Sequence, residues 1–126
     1  KHARVRSVSL SMTMGDARPA LVGYRAYQYT HWSMIHRPAQ TLMFMDEHED
    51  SLFSGWFWVP EPNTARRGWV ALPGSRHGDA GTMSFADGHV EVHKWRDPRT
   101  AKPVERQFSQ QAYDMPNNSD IRWLLY

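Results

Sequence analysis

The chain contains no cysteine, which excludes disulfide bridges, thiolate metal centres and a cysteine nucleophile. No apolar run approaches the roughly 18 to 20 residues that a membrane-spanning helix needs. A large excess of charge of either sign is lacking too. The formal net charge is +2, and apart from Lys1 to Arg6 and the pair Arg66-Arg67 the basic residues are dispersed, so nucleic acid is not an expected partner. Several motifs are missing. There is no Gly-x-Ser-x-Gly elbow, and Ser75 and Ser84 lack an evident base. Gly74, Gly78 and Gly81 precede a strand rather than a helix, which argues against a phosphate loop. No His-Glu-x-x-His pair, Asp-x-Asp-x-Asp-Gly loop, internal repeat or low-complexity tract occurs. The sequence opens at Lys1-His2-Ala3-Arg4 without an initiator Met, so a further segment is expected upstream.

What is present suits one small β-rich unit. The 126 residues, with six Trp among 13% aromatics, are enough for a single core. Val8, Leu10, Met12 and Met14 alternate with Ser7, Ser9, Ser11 and Thr13, the period of a half-buried strand whose serine face is expected to meet water. Tyr29 to Ile35 is a weaker strand candidate. Thr41 to Met45 follows Pro38 and precedes the acidic run Asp46 to Asp50; it reads as a central strand covered on both faces. Gly55 to Val59 and Trp69 to Leu72 are further short strands, the first expected to pair with 41–45 through the acidic connection. After Trp95 a long polar loop is expected, and then a short helix capped by Asn118 or Ser119, with Ile121, Leu124 and Leu125 on its apolar stripe and Trp123 beside it.

The segment from Thr82 to His93 predicts a β-hairpin around Asp87-Gly88. If these two residues form a type I′ loop, Ala86 faces His89, Phe85 faces Val90 and Met83 faces Val92. That register places Met83, Phe85, Val90 and Val92 on one face, and a slip of one residue would undo the sorting.

Chemistry-bearing residues cluster near this hairpin. His77 precedes Asp87 by ten positions and, with Gly78 and Gly81 turning the chain, is expected to pin the preceding loop to the turn through a hydrogen bond. A metal site could be assembled from His77, Asp87, His89 and one of the carboxylates Asp46 or Glu47, with zinc or calcium as the fitting ions. His89 and His93 lie four apart on a strand, roughly 13 Å, too far to share an ion. Glu47 follows a buried strand, so its carboxylate is expected to turn inward toward a donor such as His77 or a backbone amide, while the rest of the run from Asp46 to Asp50 reads as a solvated turn. A metal-dependent hydrolase on His77, Asp87 and Glu47, and a carbohydrate- or matrix-binding surface of exposed Trp residues, are the alternatives from other functional classes.

His77-Gly78-Asp79-Ala80-Gly81-Thr82-Met83-Ser84-Phe85-Ala86-Asp87-Gly88-His89 resembles the H-X9-DG domain of prepilin-type proteins, a bacterial group similar to the major pseudopilin of type II secretion. The blocks Pro38 to Glu47 and Asn118 to Leu124 are similar to that group as well. The resemblance implies an α+β, β-rich fold: the antiparallel-sheet head of a pilin-like subunit over residues 1–126, with short helices and long loops and without the N-terminal anchor helix. It also implies a non-enzymatic role in type II secretion or a type IV pilus-like filament. Its partners would be other pseudopilin-like subunits and the secretion machinery, on the periplasmic or cell-surface side of the envelope, with membrane attachment only through that N-terminal helix. His77, Asp87 and Gly88 are the positions that define the motif. Calcium, bound by many major pseudopilins, has no ligand set that maps onto this chain.

Overall fold

The computed structural model describes residues 6–15, 28–52, 55–58, 68–107 and 115–125. Its strands are β1 (Val8–Ser11), β2 (Leu42–Asp46), β3 (Trp56–Phe57), β4 (Ala80–Phe85) and β5 (Val90–Lys94), and helix α1 (Ser119–Leu125) follows. The apolar run Leu42-Met43-Phe44-Met45 supplies the middle strand of a five-stranded sheet ordered β3-β1-β2-β4-β5; the expectation of a central strand is met, but coverage on both faces is not, since Phe44 is 43% exposed. The class is mixed α+β and strand-rich. One pairing departs from an all-antiparallel sheet. β3 runs parallel to β1, with Leu10 opposite Trp56 and Ser11 opposite Phe57, and does not return alongside β2 as the sequence suggested. The 46–51 segment turns away from the sheet in a 3-10 helix, Glu49–Ser51, and no tight hairpin forms there.

One sheet face is packed and the other is open. Alternation along each strand places Ser9, Ser11, Phe57, Met45, Met83 and Phe85 on the packed side, where each is at most 7% exposed. Trp69, Leu72, Trp95, Met115 and Ile121 lie in the same buried cluster. Trp69 sits edge-on to both Phe57 and Trp95, with ring centroids 6.1 Å apart in each pair, the offset geometry that aromatic rings favour. Gly81 allows Trp95 to close on β4, because a Cβ there would overlap the Trp95 ring; the indole N–H then donates to the Gly74 carbonyl at 2.9 Å.

Several local expectations are corrected. Trp69 to Leu72 forms bends rather than a strand; it is held by Leu72 N–H donating to the Ser51 hydroxyl and by Trp69 Nε1–H donating to Thr100 Oγ1. Tyr29 makes only an isolated bridge to Met14, and Trp32–Met34 is a 3-10 turn. Strand β1 ends at Ser11, and Met12 and Met14 are buried through a turn in which Met14 N–H donates to Ser11. Helix α1 matches its sequence signals closely. Asn118 Oδ1 accepts from the Asp120 and Ile121 amides at 2.9 and 3.2 Å, the capping role expected of Asn.

The hairpin register is shifted by one residue from the expected one. Ser84 faces Val90, Met83 faces Glu91 and Thr82 faces Val92. Phe85 N–H donates to His89 O, and Gly88 N–H donates to Phe85 O, both at 3.0 Å, so the loop is Ala86-Asp87-Gly88. A type I′ turn needs positive φ at both central residues. Here Gly88 has φ +94°, whereas Asp87 is not in the left-handed region. The tip is also tied sideways, since the Ala86 and Asp87 amides donate to Thr41 O and Pro38 O at 2.9 and 3.3 Å. Met83 and Phe85 therefore face the core, while Val90 and Val92 face the other way.

Candidate functional site

The residues expected to converge around His77 are separated by the hairpin itself. His77 lies in the turn before β4, and Asp87 lies in the turn after it. The strand Ala80–Phe85 between them spans six residues, roughly 20 Å at about 3.3 Å per residue. Six of the nine intervening residues thus form an extended strand that holds His77 and Asp87 at its opposite ends. The imidazole of His77 is exposed and forms no hydrogen bond or ion pair. The backbone makes this turn without it: Gly78 and Asp79 adopt φ +66° and +61°, and Asp79 O accepts from Trp95 N–H at 2.8 Å. The latch role expected of His77 is therefore not present. His77→Ala should change unfolding free energy by less than about 0.5 kcal/mol, as for an exposed side chain without partners; a urea titration reads this directly, and a loss above about 1 kcal/mol would show a contact absent from this geometry.

The proposed metal set is likewise dispersed. Asp87 and His89 pair with each other at the hairpin tip, Oδ1 to Nδ1 at 2.5 Å, and His89 Nε2 reaches Glu91 Oε1 at 3.0 Å. The hydrogen bond to Asp87, followed by that to Glu91, raises the His89 pKa, and the same contact lowers that of Asp87. Glu47 lies just past the end of β2, buried beside β1. Among the described residues no three His, Asp or Glu side chains gather as a metal site, and the same separation leaves His77, Asp87 and Glu47 without the shared geometry of a hydrolase.

The acidic run, expected to be a solvated turn, is an interior hub. Asp46, Glu47, His48 and Asp50 are 8%, 1%, 1% and 3% exposed. Each has a specific partner. Asp46 pairs with Arg76, and the Asp50 carboxylate accepts from Glu105 N–H at 2.7 Å. His48 Nε2 donates to Lys102 O at 2.8 Å while its Nδ1 accepts from Asp50 N–H at 3.1 Å. Glu47 accepts from the Ser9 hydroxyl, and Ser9 Oγ in turn accepts from Arg6 Nη1 at 2.6 Å. The inward carboxylate of Glu47 thus meets Ser9 and not His77. Burial raises its pKa to about 7, against the lowering effects of Ser9 and of Arg6 3.8 Å away.

This hub inverts β1. Ser9 and Ser11 are 1% and 0% exposed, whereas Val8 is 50% exposed and Leu10 is only half-buried. The serine face, expected in water, is inside because Ser9 serves Glu47 and Ser11 Oγ bonds Thr13 Oγ1 at 2.8 Å. The apolar residues of β1 consequently join Phe44, Val90 and Val92, which are 43%, 61% and 66% exposed, on the open face with half-buried Trp56. The register places Leu10 beside both Phe44 and Trp56, and Phe44 beside Ser84, which itself faces Val90. The result is an apolar band on four of the five strands, crossed on β4 by Thr82 and Ser84. Residues of this kind are normally covered in the working form of a protein. No single local motif announces the band; its signal is a second set of apolar residues, Phe44 on β2 and Val90 and Val92 on β5, which hydrophobic pattern alone does not separate from the core set.

Of the six Trp, Trp69 and Trp95 are buried, Trp56 and Trp58 are half-buried, and Trp32 and Trp123 are exposed. The two exposed rings lie on separate elements and do not form a row along one strand. Among the described residues no helix is long and apolar enough to cross a membrane. Among the described residues, the sheet and helix define a mixed α+β protein with Val8, Phe44, Val90 and Val92 exposed on one sheet face. Compared with protein-family models, curated proteins and solved structures, the chain matches none.

Proposed function

We propose that this chain is the head of a pseudopilin-like subunit whose open sheet face seats a long N-terminal helix. The observation that carries this reading is the apolar band of Val8, Leu10, Phe44, Trp56, Val90 and Val92. A pilin-like subunit buries such a face under its helix, and this band places apolar side chains on β1, β2, β3 and β5 around the small polar residues Thr82 and Ser84 of β4. Covering its exposed portions would contribute roughly 1 kcal/mol per large side chain. The contacts among the resembling blocks support the reading as well, because the Asp87 turn is hydrogen-bonded to the 38–41 segment and helix α1 is joined to the chain leaving β5 through Asp120. In this role the protein catalyses no reaction; it assembles with like subunits and secretion machinery on the periplasmic or cell-surface side, anchored by the helix.

The absence of cysteine makes the test simple. Val92→Cys, introduced into the full-length precursor with any upstream cysteine replaced, should react with a maleimide about tenfold more slowly than in the isolated 1–126 chain. Glu105→Cys, at an exposed site away from the sheet, should react equally in both. Equal reactivity of Val92→Cys in the two proteins would remove the helix from this face.

A further inference from the structure

On the packed side of the sheet, away from the apolar band, the surface opens into a cleft of about 620 Å³. Its walls come from three places: Phe85 and Glu91 of the hairpin, Trp123 to Leu125 of α1, and the segment from Tyr29 to Thr41. The key groups are fixed before any ligand arrives. Trp123 stacks on His93, with ring centroids 3.7 Å apart and planes 15° from parallel, and His93 in turn abuts buried Trp95 at 5.1 Å. The Trp123 ring is thus clamped from behind yet remains 38% exposed. Glu91 is held by His89, which stacks on Phe85 at 4.5 Å with planes 5° apart. Thr41 Oγ1 donates to Arg37 O at 2.8 Å and ties the third wall. Preorganised aromatic groups lower the ordering cost of binding.

The polar lining is unbalanced. Glu91 already accepts from His89, whereas the side chains of His36, Arg37 and Gln40 form no hydrogen bond or ion pair. The cleft therefore offers a flat aromatic surface beside a guanidinium that no carboxylate pairs, with Glu91 engaged by His89, and unused amide and imidazole groups. Its mixed lining and exposed rim do not suit a wholly apolar ligand, which favours a mostly apolar, enclosing pocket. A pyranose has the matching chemistry, with a face of C–H groups and an equator of hydroxyls, and a uronate adds the carboxylate that Arg37 lacks. We propose that this cleft binds a short acidic oligosaccharide, one sugar ring stacking on Trp123 and a uronate carboxylate meeting the Arg37 guanidinium. The proposal is independent of how the opposite sheet face is covered.

Isothermal titration of the 1–126 chain with tetragalacturonate, neutral xylotetraose and tetraglutamate separates the contributions. The acidic sugar should bind about tenfold more tightly than either of the others, and should weaken as salt rises from 50 to 300 mM by roughly the amount expected for one partly exposed ion pair. Arg37→Gln, at an exposed side chain without partners, should reduce affinity for tetragalacturonate about tenfold and leave any xylotetraose binding unchanged. Trp123→Ala should weaken both sugars, with circular dichroism confirming that the fold persists. Failure of tetragalacturonate to bind, equal binding of xylotetraose, equal binding of tetraglutamate, or indifference to Arg37→Gln would each overturn the proposal.

Discussion

Glu47→Gln is expected to make the protein about 3 kcal/mol more stable at pH 8 while changing it little at pH 4. The carboxylate has an ordinary pKa of 4.5, raised in the folded protein to about 7, chiefly by burial. A group whose folded pKa lies above its unfolded value binds its proton more tightly in the native state. Its stabilising contribution is complete below pH 4.5 and is lost as pH rises through about 7. A gap of this size corresponds to about 3 kcal/mol at about 1.4 kcal/mol per pH unit, a large share of a typical stability of about 5–15 kcal/mol. Glutamine resembles the protonated acid in shape, and its carbonyl can still accept from Ser9. The substitution therefore removes the titration while retaining the hydrogen bond. Urea unfolding at pH 4, 6 and 8 should show stability falling with pH for the native chain and a flatter profile for Glu47→Gln. Parallel profiles would mean that Arg6 and Ser9 keep Glu47 ionised across the range.

The readings that succeeded from sequence depend on neighbours in the chain. Strand β2 is bracketed by Pro38 and the acidic run, and α1 carries its own cap three residues before Ile121; both signals lie within a few positions of the element they specify. The failures share a different origin. Asp46 to Asp50 looks like a solvated turn because its partners are distant in sequence: Glu47 meets Ser9, 38 residues away, Asp46 meets Arg76, 30 away, and Asp50 meets the Glu105 amide, 55 away. Composition does not reveal such contacts. The hairpin failed for a subtler reason. A two-residue Asp87-Gly88 loop implies a register that puts Val90 and Val92 on the face of Met83 and Phe85, and that sorting of apolar residues onto one side lends it support. This sheet has apolar residues on both faces, so hydrophobic sorting could not discriminate between registers, and the conformation of Asp87 decided it. The distance between His77 and Asp87 was legible in principle, since an intervening strand of six residues cannot bring its two ends together.

Asp120→Ala should cost about 3 to 5 kcal/mol, more than any other single change at a polar residue of α1. Its carboxylate is 1% exposed and accepts two backbone hydrogen bonds, from Arg96 and Asp97 N–H, each at 2.9 Å. Hydrogen bonds to a charged acceptor contribute about 1.5–3 kcal/mol each, and alanine would leave both amides without it. Asn has a single side-chain oxygen, so Asp120→Asn can satisfy one amide well and should lose roughly half as much. His93 is a weaker participant: its Nε2 lies 3.6 Å from Asp120 Oδ1 and has no hydrogen bond in the structure. The order of stability should therefore be native, Asn, then Ala. Because Asp120 joins α1 to the chain leaving β5, the loss should also release the helix, loosen the His93–Trp123 stack and change Trp fluorescence before global unfolding. Asn118 would not compensate, since its oxygen already caps the helix and its amide donates to Thr100 Oγ1 at 2.9 Å. Unfolding curves recorded by far-UV circular dichroism and by fluorescence should separate in Asp120→Ala and coincide in the native chain. Coincident curves with a loss below about 1 kcal/mol would show that water, rather than this carboxylate, satisfies the two amides.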